Sequence, residues 1–125
     1  MKFQGLIPVL RCEHIEQTLN FYQQALRYII INKREGDNGL EWAHLKSDNT
    51  YIMLTRQIND KPDVITKTEK IMIYYYTDDV EAQKQFLQAK GFDSSAIVTT
   101  DFGMKEFFLE DPEGNTLTVG QTLKQ

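Results

Sequence analysis

The first half of the chain combines short apolar runs with one segment of helical periodicity. Ile15, Leu19 and Tyr22 recur at intervals of three or four residues, which places them on one face of an α-helix. The runs around this segment are short and are separated by polar turns such as Ser47–Thr50, as is typical of strands. The pattern predicts the order βαβββ, with strands at about 5–12, 28–34, 40–46 and 50–56 and a helix at 15–26.

The same order returns in the second half. A strand over 70–77 precedes a helix that begins near Asp78 and ends at Gly91, because glycine commonly follows a helix C-terminus. Three further strands are predicted near 95–99, 105–110 and 115–121. The polar stretch 59–67, which contains Asn59-Asp60-Lys61-Pro62-Asp63, is predicted to link the two halves.

A shift of about 65 residues aligns the two halves. It pairs Ile15 with Val80 in the helices and Trp42 with Phe107 in the strands, and a run of such pairs in one register indicates an internal duplication. The alternative is two unrelated α+β halves. We predict a single domain, 1–125, made of two βαβββ modules at 1–58 and 68–123.

Composition narrows the functional classes. Of 125 residues, 41% are hydrophobic and 26% charged, the ordinary balance of a globular domain long enough to bury its own core. The net charge of −4, without a basic stripe, argues against nucleic-acid binding. The sequence has no run long enough for a membrane span, its start does not resemble a signal peptide, and Cys12 is the single cysteine. We therefore expect a cytoplasmic protein that binds neither nucleic acid nor membrane.

Three motifs carry a family resemblance. They are Pro8-Val9-Leu10, Asn20-Phe21-Tyr22, and Glu106-Phe107-Phe108-Leu109-Glu110 followed by Asp111-Pro112-Glu113-Gly114-Asn115. With the duplicated βαβββ order, they resemble the vicinal oxygen chelate superfamily, which includes glyoxalase I, extradiol dioxygenases and fosfomycin-resistance enzymes, and within it the bleomycin-resistance proteins in particular. The resemblance implies an α+β fold in which two βαβββ modules form an incomplete barrel around a cleft. In the last turn, Gly114 and Asn115 are expected to adopt positive φ.

The resemblance also implies where a metal would bind. Metal-dependent members carry four ligands, usually His and Glu, on the first and last strands of each half, and the corresponding positions here are Ile7, Met53, Met72 and Thr118. None of these side chains is a usual ligand for a divalent metal of that kind. We therefore expect no metal and no other cofactor.

Other residues do not restore a reactive centre. His14 lies at the start of the first helix, and His44 is expected on the strand face opposite Trp42; both are interpreted as ordinary surface or hydrogen-bonded histidines. Cys12 is interpreted as a small buried residue, because its neighbours Glu13 and His14 do not make it a nucleophile. No catalytic residue is predicted.

The positions left without metal ligands are predicted to form the walls of a ligand cleft. Aromatic and methionine side chains suit a large, partly planar compound. Acidic residues such as Glu41 and Glu106 are candidates to complement a cation. The alternative for each wall residue is a place in the hydrophobic core. The predicted ligand-binding residues are Trp42, Met53, Met72, Tyr74, Phe102, Phe107 and Thr118.

The functional hypothesis is a metal-free protein that sequesters a bulky aromatic or cationic compound, such as a bleomycin-like glycopeptide. The resemblance implies a homodimer that shares its clefts between subunits. One alternative is an enzyme of the superfamily with an unrecognised site, which stoichiometric metal in the purified protein would indicate. Another is a regulatory module that binds some other metabolite.

Overall fold

The computed structural model describes residues 2–56 and 70–123. The chain divides into two compact units, Met1–Thr68 and Glu69–Gln125. Each unit contains one four-stranded mixed sheet and one helix, which confirms the predicted α+β class. The predicted linker 59–67 lies outside the described residues. The proposed module boundaries stay predictions. No helix in the described ranges combines the length and the apolar character that crossing a membrane requires.

The N-terminal unit has the predicted order βαβββ. Strand β1 pairs in parallel with β4, and β4–β3 and β3–β2 are antiparallel, so the sheet order is β1-β4-β3-β2. The elements are β1 Val9–Cys12, α1 Ile15–Leu26, β2 Ile29–Gly36, β3 Gly39–Ser47 and β4 Thr50–Arg56.

The C-terminal unit repeats this connectivity. Strand β5 pairs in parallel with β8, and the sheet order is β5-β8-β7-β6. Helix α2 begins after Asp79, whose side chain accepts a hydrogen bond from the N–H of Ala82 over 3.0 Å. Gly91 follows the helix at φ +84°, as the sequence predicts. The elements are β5 Met72–Tyr76, α2 Val80–Ala89, β6 Val98–Thr99, β7 Met104–Glu110 and β8 Thr116–Thr122.

Each helix packs on one face of the sheet of its own unit, and that face forms the core. In the N-terminal unit, Tyr22 of α1 is fully buried and contacts the ring edges of Phe21 and Tyr28 at centroid distances of 5.3 and 5.8 Å. Leu45 and Leu54, from β3 and β4, are fully buried on the same side. Burial of side chains of this size stabilises the fold by about 1.5–3 kcal/mol each.

The offset that aligns the two halves of the chain changes by one residue within the equivalent hairpins β3–β4 and β7–β8. Ala43 pairs with Leu54 and Phe107 with Val119, so the offset is 64 residues on the first strand (107 − 43) and 65 on the second (119 − 54). The cause is turn length. Two residues separate the paired Ser47 and Thr50, whereas three separate Asp111 and Asn115, which are joined by a backbone hydrogen bond of 3.0 Å.

This extra turn residue overturns the predicted equivalence of Trp42 and Phe107. At an offset of 64, Trp42 corresponds to Glu106 and Ala43 to Phe107. Alternate residues of a strand point to opposite faces, so a shift of one residue exchanges the face. Trp42 and Phe107 consequently lie on opposite faces of their respective sheets.

Buried polar side chains hold the three-residue turn. Gly114 adopts φ +88°, as predicted, but Asn115 does not adopt positive φ; its contribution comes from the side chain. Its Nδ2 donates to Asp111 Oδ2 over 2.9 Å, and its Oδ1 accepts from the N–H of Ile71 over 3.0 Å. Asp111 Oδ1 accepts from the N–H groups of Glu113 and Asn115, both over 2.9 Å. Asn115 therefore connects the turn to the start of β5.

Replacement of Asn115 by alanine is predicted to lower the free energy of unfolding by about 1–3 kcal/mol, since it leaves polar groups of the turn without their partners. Urea unfolding measures the change. Asn49→Ala, in the exposed two-residue turn of the other hairpin, is the matched control and should change stability by less than about 0.5 kcal/mol. Equal effects of the two substitutions would contradict the structural role given to Asn115.

Candidate functional site

The sheet face opposite each helix presents the side chains that are available for binding. We call it the helix-free face of its unit, and its members follow from strand pairing, because directly paired residues share a face. On the N-terminal sheet the helix-free face carries Val9 and Arg11 from β1, Arg34 from β2, Trp42, His44 and Lys46 from β3, and Tyr51, Met53 and Thr55 from β4.

Three rings form a row on this face. The ring centroids of Trp42 and His44 are 6.2 Å apart, and those of His44 and Tyr51 are 5.9 Å apart. Met53 is the cross-strand partner of His44. His44 was expected on the face opposite Trp42, which is wrong: residues two apart on a strand point to the same side.

His44 also departs from its expected role. Its Nε2 atom is buried and has no hydrogen-bond partner among the residues that the structure describes. Buried polar side-chain atoms nearly always have a partner, so an unpaired one is unusual. The interpretation of His44 as an ordinary surface or hydrogen-bonded histidine is therefore not supported.

Among residues 2–56, the described part of the N-terminal unit, we find two depressions large enough for a small molecule. One, of about 520 Å³, adjoins the row of rings and is lined by Asn32, Lys33, Arg34, Trp42 and Thr55. The other, of about 530 Å³, lies at the start of α1 and has polar walls that include Glu16 and Arg56. Glu16 Oε1 is engaged there by Arg56 Nη2 over 3.1 Å and by the N–H of Leu40 over 3.2 Å. The first depression has the apolar ring surface that binding of an organic compound requires.

The helix-free face of the C-terminal sheet is organised around Tyr74. Its hydroxyl donates to Glu106 Oε2 over 2.6 Å, and its ring centroid lies 5.0 Å from that of Tyr76. Tyr74 reaches Glu106 by crossing Gly120 of β8, where a Cβ atom would overlap the tyrosine hydroxyl. Glycine is required at this position because any side chain would block the Tyr74–Glu106 contact.

This contact alters the acidity of Tyr74. Desolvation of the hydroxyl, followed by its hydrogen bond to Glu106 and the negative charge of that carboxylate, raises the pKa of Tyr74 from 10.0 to about 12. Tyr74 is therefore a neutral hydrogen-bond donor over the whole physiological range. Because its pKa is higher in the folded state, its contribution to stability is present below about pH 10 and is lost as the pH rises toward 12.

The structure distributes the seven predicted ligand-binding residues over several surfaces. Trp42 and Met53 lie on the helix-free face of the N-terminal sheet. Met72, Tyr74 and Thr118 lie on that of the C-terminal sheet.

The other two lie elsewhere. Phe102 is 68% exposed in the turn before β7. Phe107 is 1% exposed on the helix-covered face, with Lys84 Nζ 5.5 Å from its ring centroid. Phe107 therefore belongs to the core of its unit and does not reach the helix-free face.

The residues at the expected metal positions do not fit a metal ion. Met53 on β4 and Met72 on β5 present thioethers, Thr118 on β8 presents a hydroxyl, and Ile7 presents an apolar side chain. Such groups do not hold a divalent metal ion, because these ions are usually bound by carboxylate, imidazole or thiolate ligands. Within residues 2–56 and 70–123, no three His, Cys, Asp or Glu side chains form a group able to hold a metal ion.

The sequence interpretation missed the importance of His44 and Gly120, and it named Glu106 only as a candidate partner of a cation and not as the acceptor of the Tyr74 hydroxyl. For His44, correct use of the two-residue strand period would have placed it beside Trp42. For Gly120, a glycine within a strand often marks a close approach of another group, and this signal was present in the sequence. The Glu106 contact depends on three adjacent strands and had no local signal.

Substitution of Glu106 by glutamine is predicted to lower the pKa of Tyr74 from about 12 toward 10.0, because the carboxylate charge is lost. It should not reach 10.0, since desolvation of the hydroxyl remains. The measurement is an ultraviolet titration of tyrosinate, taken as the difference from the same protein carrying Tyr74→Phe. Glu110→Gln, on the same strand, is the control. An unchanged titration in E106Q would show that the contact is absent in solution.

Comparison with known proteins agrees with this architecture. Residues 7–119 match the model of the Glyoxalase/Bleomycin resistance protein/Dioxygenase superfamily. No curated protein matches the chain.

Solved structures similar to the chain share its fold at low sequence identity. TioX from Micromonospora sp. ML1 is 14% identical with a TM-score of 0.77, and the match covers 95% of this chain and 100% of that one. A glyoxalase/bleomycin resistance protein/dioxygenase from Nocardioides is 15% identical with a TM-score of 0.77, covering 99% and 87%. Lactoylglutathione lyase from Agrobacterium tumefaciens is 16% identical with a TM-score of 0.74, covering 97% and 96%. These likenesses concern the fold alone. The family match over residues 7–119, carried by two βαβββ units, shows that the chain belongs to the Glyoxalase/Bleomycin resistance protein/Dioxygenase superfamily.

Proposed function

We propose that this protein binds a bulky, planar aromatic compound without using a metal, in the manner of a bleomycin-resistance protein. The observation that carries the proposal is the row of Trp42, His44 and Tyr51 beside a depression of about 520 Å³. Flat ring surfaces of this kind stack on aromatic ligands, and the volume lies within the range of small-molecule sites. Sequestration of a compound requires no catalytic group.

Met53 supports binding over metal chemistry. It occupies a position where metal-dependent relatives are expected to have a ligand, and it lies directly opposite His44 in the sheet. A thioether is neutral and soft, so it does not replace a carboxylate as a ligand. The same flexible and polarisable side chain adapts well to the surface of an organic ring.

The sequence-based hypothesis that the ligand is cationic has less support. Neither Glu41 nor Glu106 is among the residues that line the depression beside Trp42, and Glu106 accepts the hydrogen bond of Tyr74. A cationic ligand in that depression would therefore meet no carboxylate among the described residues of its walls. The aromatic character of the ligand therefore carries the proposal.

Fluorescence provides a direct test, because Trp42 is the single tryptophan of the chain. A bleomycin-class glycopeptide and a set of planar aromatic compounds are titrated against the protein. We predict saturable quenching of Trp42 by at least one of them, unchanged when a chelator such as EDTA is added. Quenching that depends on an added metal, or none at tens of micromolar ligand, would contradict the proposal.

Calorimetry with the ligand identified in this way tests the role of the ring itself. Trp42→Ala is predicted to weaken binding about tenfold, since stacking on an aromatic ring contributes roughly 1 kcal/mol beyond the area buried. Val98→Ala shortens an apolar side chain that is 55% exposed on β6 and should leave affinity unchanged. Equal affinity of W42A and the parent protein would exclude this face as the site.

The homodimer that the family resemblance implies stays a prediction. The residues before β1 include Phe3 and Leu6, which are 93% and 88% exposed, and β1 lies at the edge of its sheet. Exposed apolar residues beside an edge strand are compatible with pairing to a second chain. Light scattering of the purified protein measures its mass in solution, and a monomer at all concentrations would overturn this prediction.

A further inference from the structure

The strongest unexplained feature of the N-terminal unit is the unpaired Nε2 of His44. Neither of its cross-strand partners forms a hydrogen bond with it. Asn32, the cross-strand partner on β2, uses its Oδ1 to accept from the N–H of Lys33 over 2.9 Å. Met53, the partner on β4, has only a thioether, which is a weak acceptor. A ligand oxygen that accepts from Nε2 would complete the site.

Charge on the same face indicates which oxygen this is. Arg11 pairs with Thr55, Arg34 with Trp42 and Lys46 with Tyr51, so three cations share the helix-free face with the rings. The residues that line the depression beside Trp42 include two cations and no carboxylate, although one of the cations, Lys33, is paired with Glu35 over 3.1 Å. A negatively charged ligand is favoured in such surroundings.

Arg34 is available to a ligand. Its contact with Glu41, at 3.8 Å, is a solvent-exposed ion pair, and pairs of this kind contribute little to stability. Arg34 lies directly opposite Trp42 in the sheet, and both residues line the depression in which an aromatic ligand would stack. A planar guanidinium binds a carboxylate through two parallel hydrogen bonds.

We propose that the ligand of this face is an aromatic anion: a planar ring system that stacks on Trp42 and carries a carboxylate or similar oxyanion held by His44 Nε2 and Arg34. This proposal rests on the proposed function and defines the chemical class of its ligand. It differs from the sequence-based hypothesis of a cationic compound, because the acidic residues named there, Glu41 and Glu106, do not line the depression.

The test compares three compounds that share one ring system and differ in charge. They are 1-naphthoate, the neutral 1-naphthamide and the cationic 1-naphthylmethylammonium, measured by calorimetry on the full chain at neutral pH and constant ionic strength. We expect 1-naphthoate to bind at least about tenfold more tightly than the ammonium, with the amide between them.

Variants assign this preference to residues. His44→Phe keeps a ring but removes Nε2, and Arg34→Gln removes the charge; each is expected to weaken 1-naphthoate about tenfold and 1-naphthamide less. His44→Gln, which restores an N–H donor at a similar distance from the backbone, should recover most of the loss. Lys90→Gln on α2 makes the same change in net charge as R34Q and should have no effect. Thermal unfolding of each variant checks that the fold is retained.

The outcomes separate the two proposals. Preference for the carboxylate that is lost in H44F and R34Q supports the aromatic-anion ligand. Equal binding of all three compounds, still weakened by W42A, overturns the charge assignment and leaves the aromatic site in place. Failure of all three and of the wider aromatic panel to bind overturns both proposals.

Discussion

Packing of a helix against one face of each four-stranded sheet is the constraint on which the other features of this structure depend. Ala43, Leu45 and Leu54 are completely buried beneath α1 because their side chains alternate toward it. The residues between them must then project from the other face. Trp42, His44 and Met53 are available for binding as a direct result of how the core is formed.

The length of one turn makes the two units chemically different. The three-residue turn between Asp111 and Asn115 shifts β7 by one residue relative to β3, so that Phe107 enters the core where the N-terminal unit has Ala43. The helix-free face of the C-terminal sheet receives Glu106 and becomes a surface organised by the Tyr74–Glu106 hydrogen bond. The helix-free face of the N-terminal sheet carries the row of rings described above, and Arg11, Arg34 and Lys46 lie on the same face. The two units thus share the same strand connectivity but differ in their helix-free faces. Among the described residues, the unpaired imidazole nitrogen, Nε2 of His44, belongs to the N-terminal one.

Much of the fold followed from local patterns, whereas the site did so only in part. The helix Ile15–Leu26 has the bounds that its apolar periodicity predicted, and both βαβββ orders are present. Trp42 and Met53, predicted from family resemblance and strand alternation, lie on the helix-free face, and their part in binding stays a prediction. Phe107 was misplaced because sequence similarity does not show which of two hairpins contains an extra turn residue. Hydrogen-bond satisfaction is a property of the folded chain, so the unpaired Nε2 of His44 had no signal in the sequence.

The proposal that this protein binds its ligand without a metal depends on the side chains at the four expected metal positions. These are Ile7, Met53, Met72 and Thr118. Native mass spectrometry of the protein, purified without chelator and then incubated with Ni²⁺, Zn²⁺, Mn²⁺ and Fe²⁺, tests this proposal most directly. We expect the mass of the chain, as monomer or dimer, with no metal retained after buffer exchange. One tightly held metal ion per chain would contradict it.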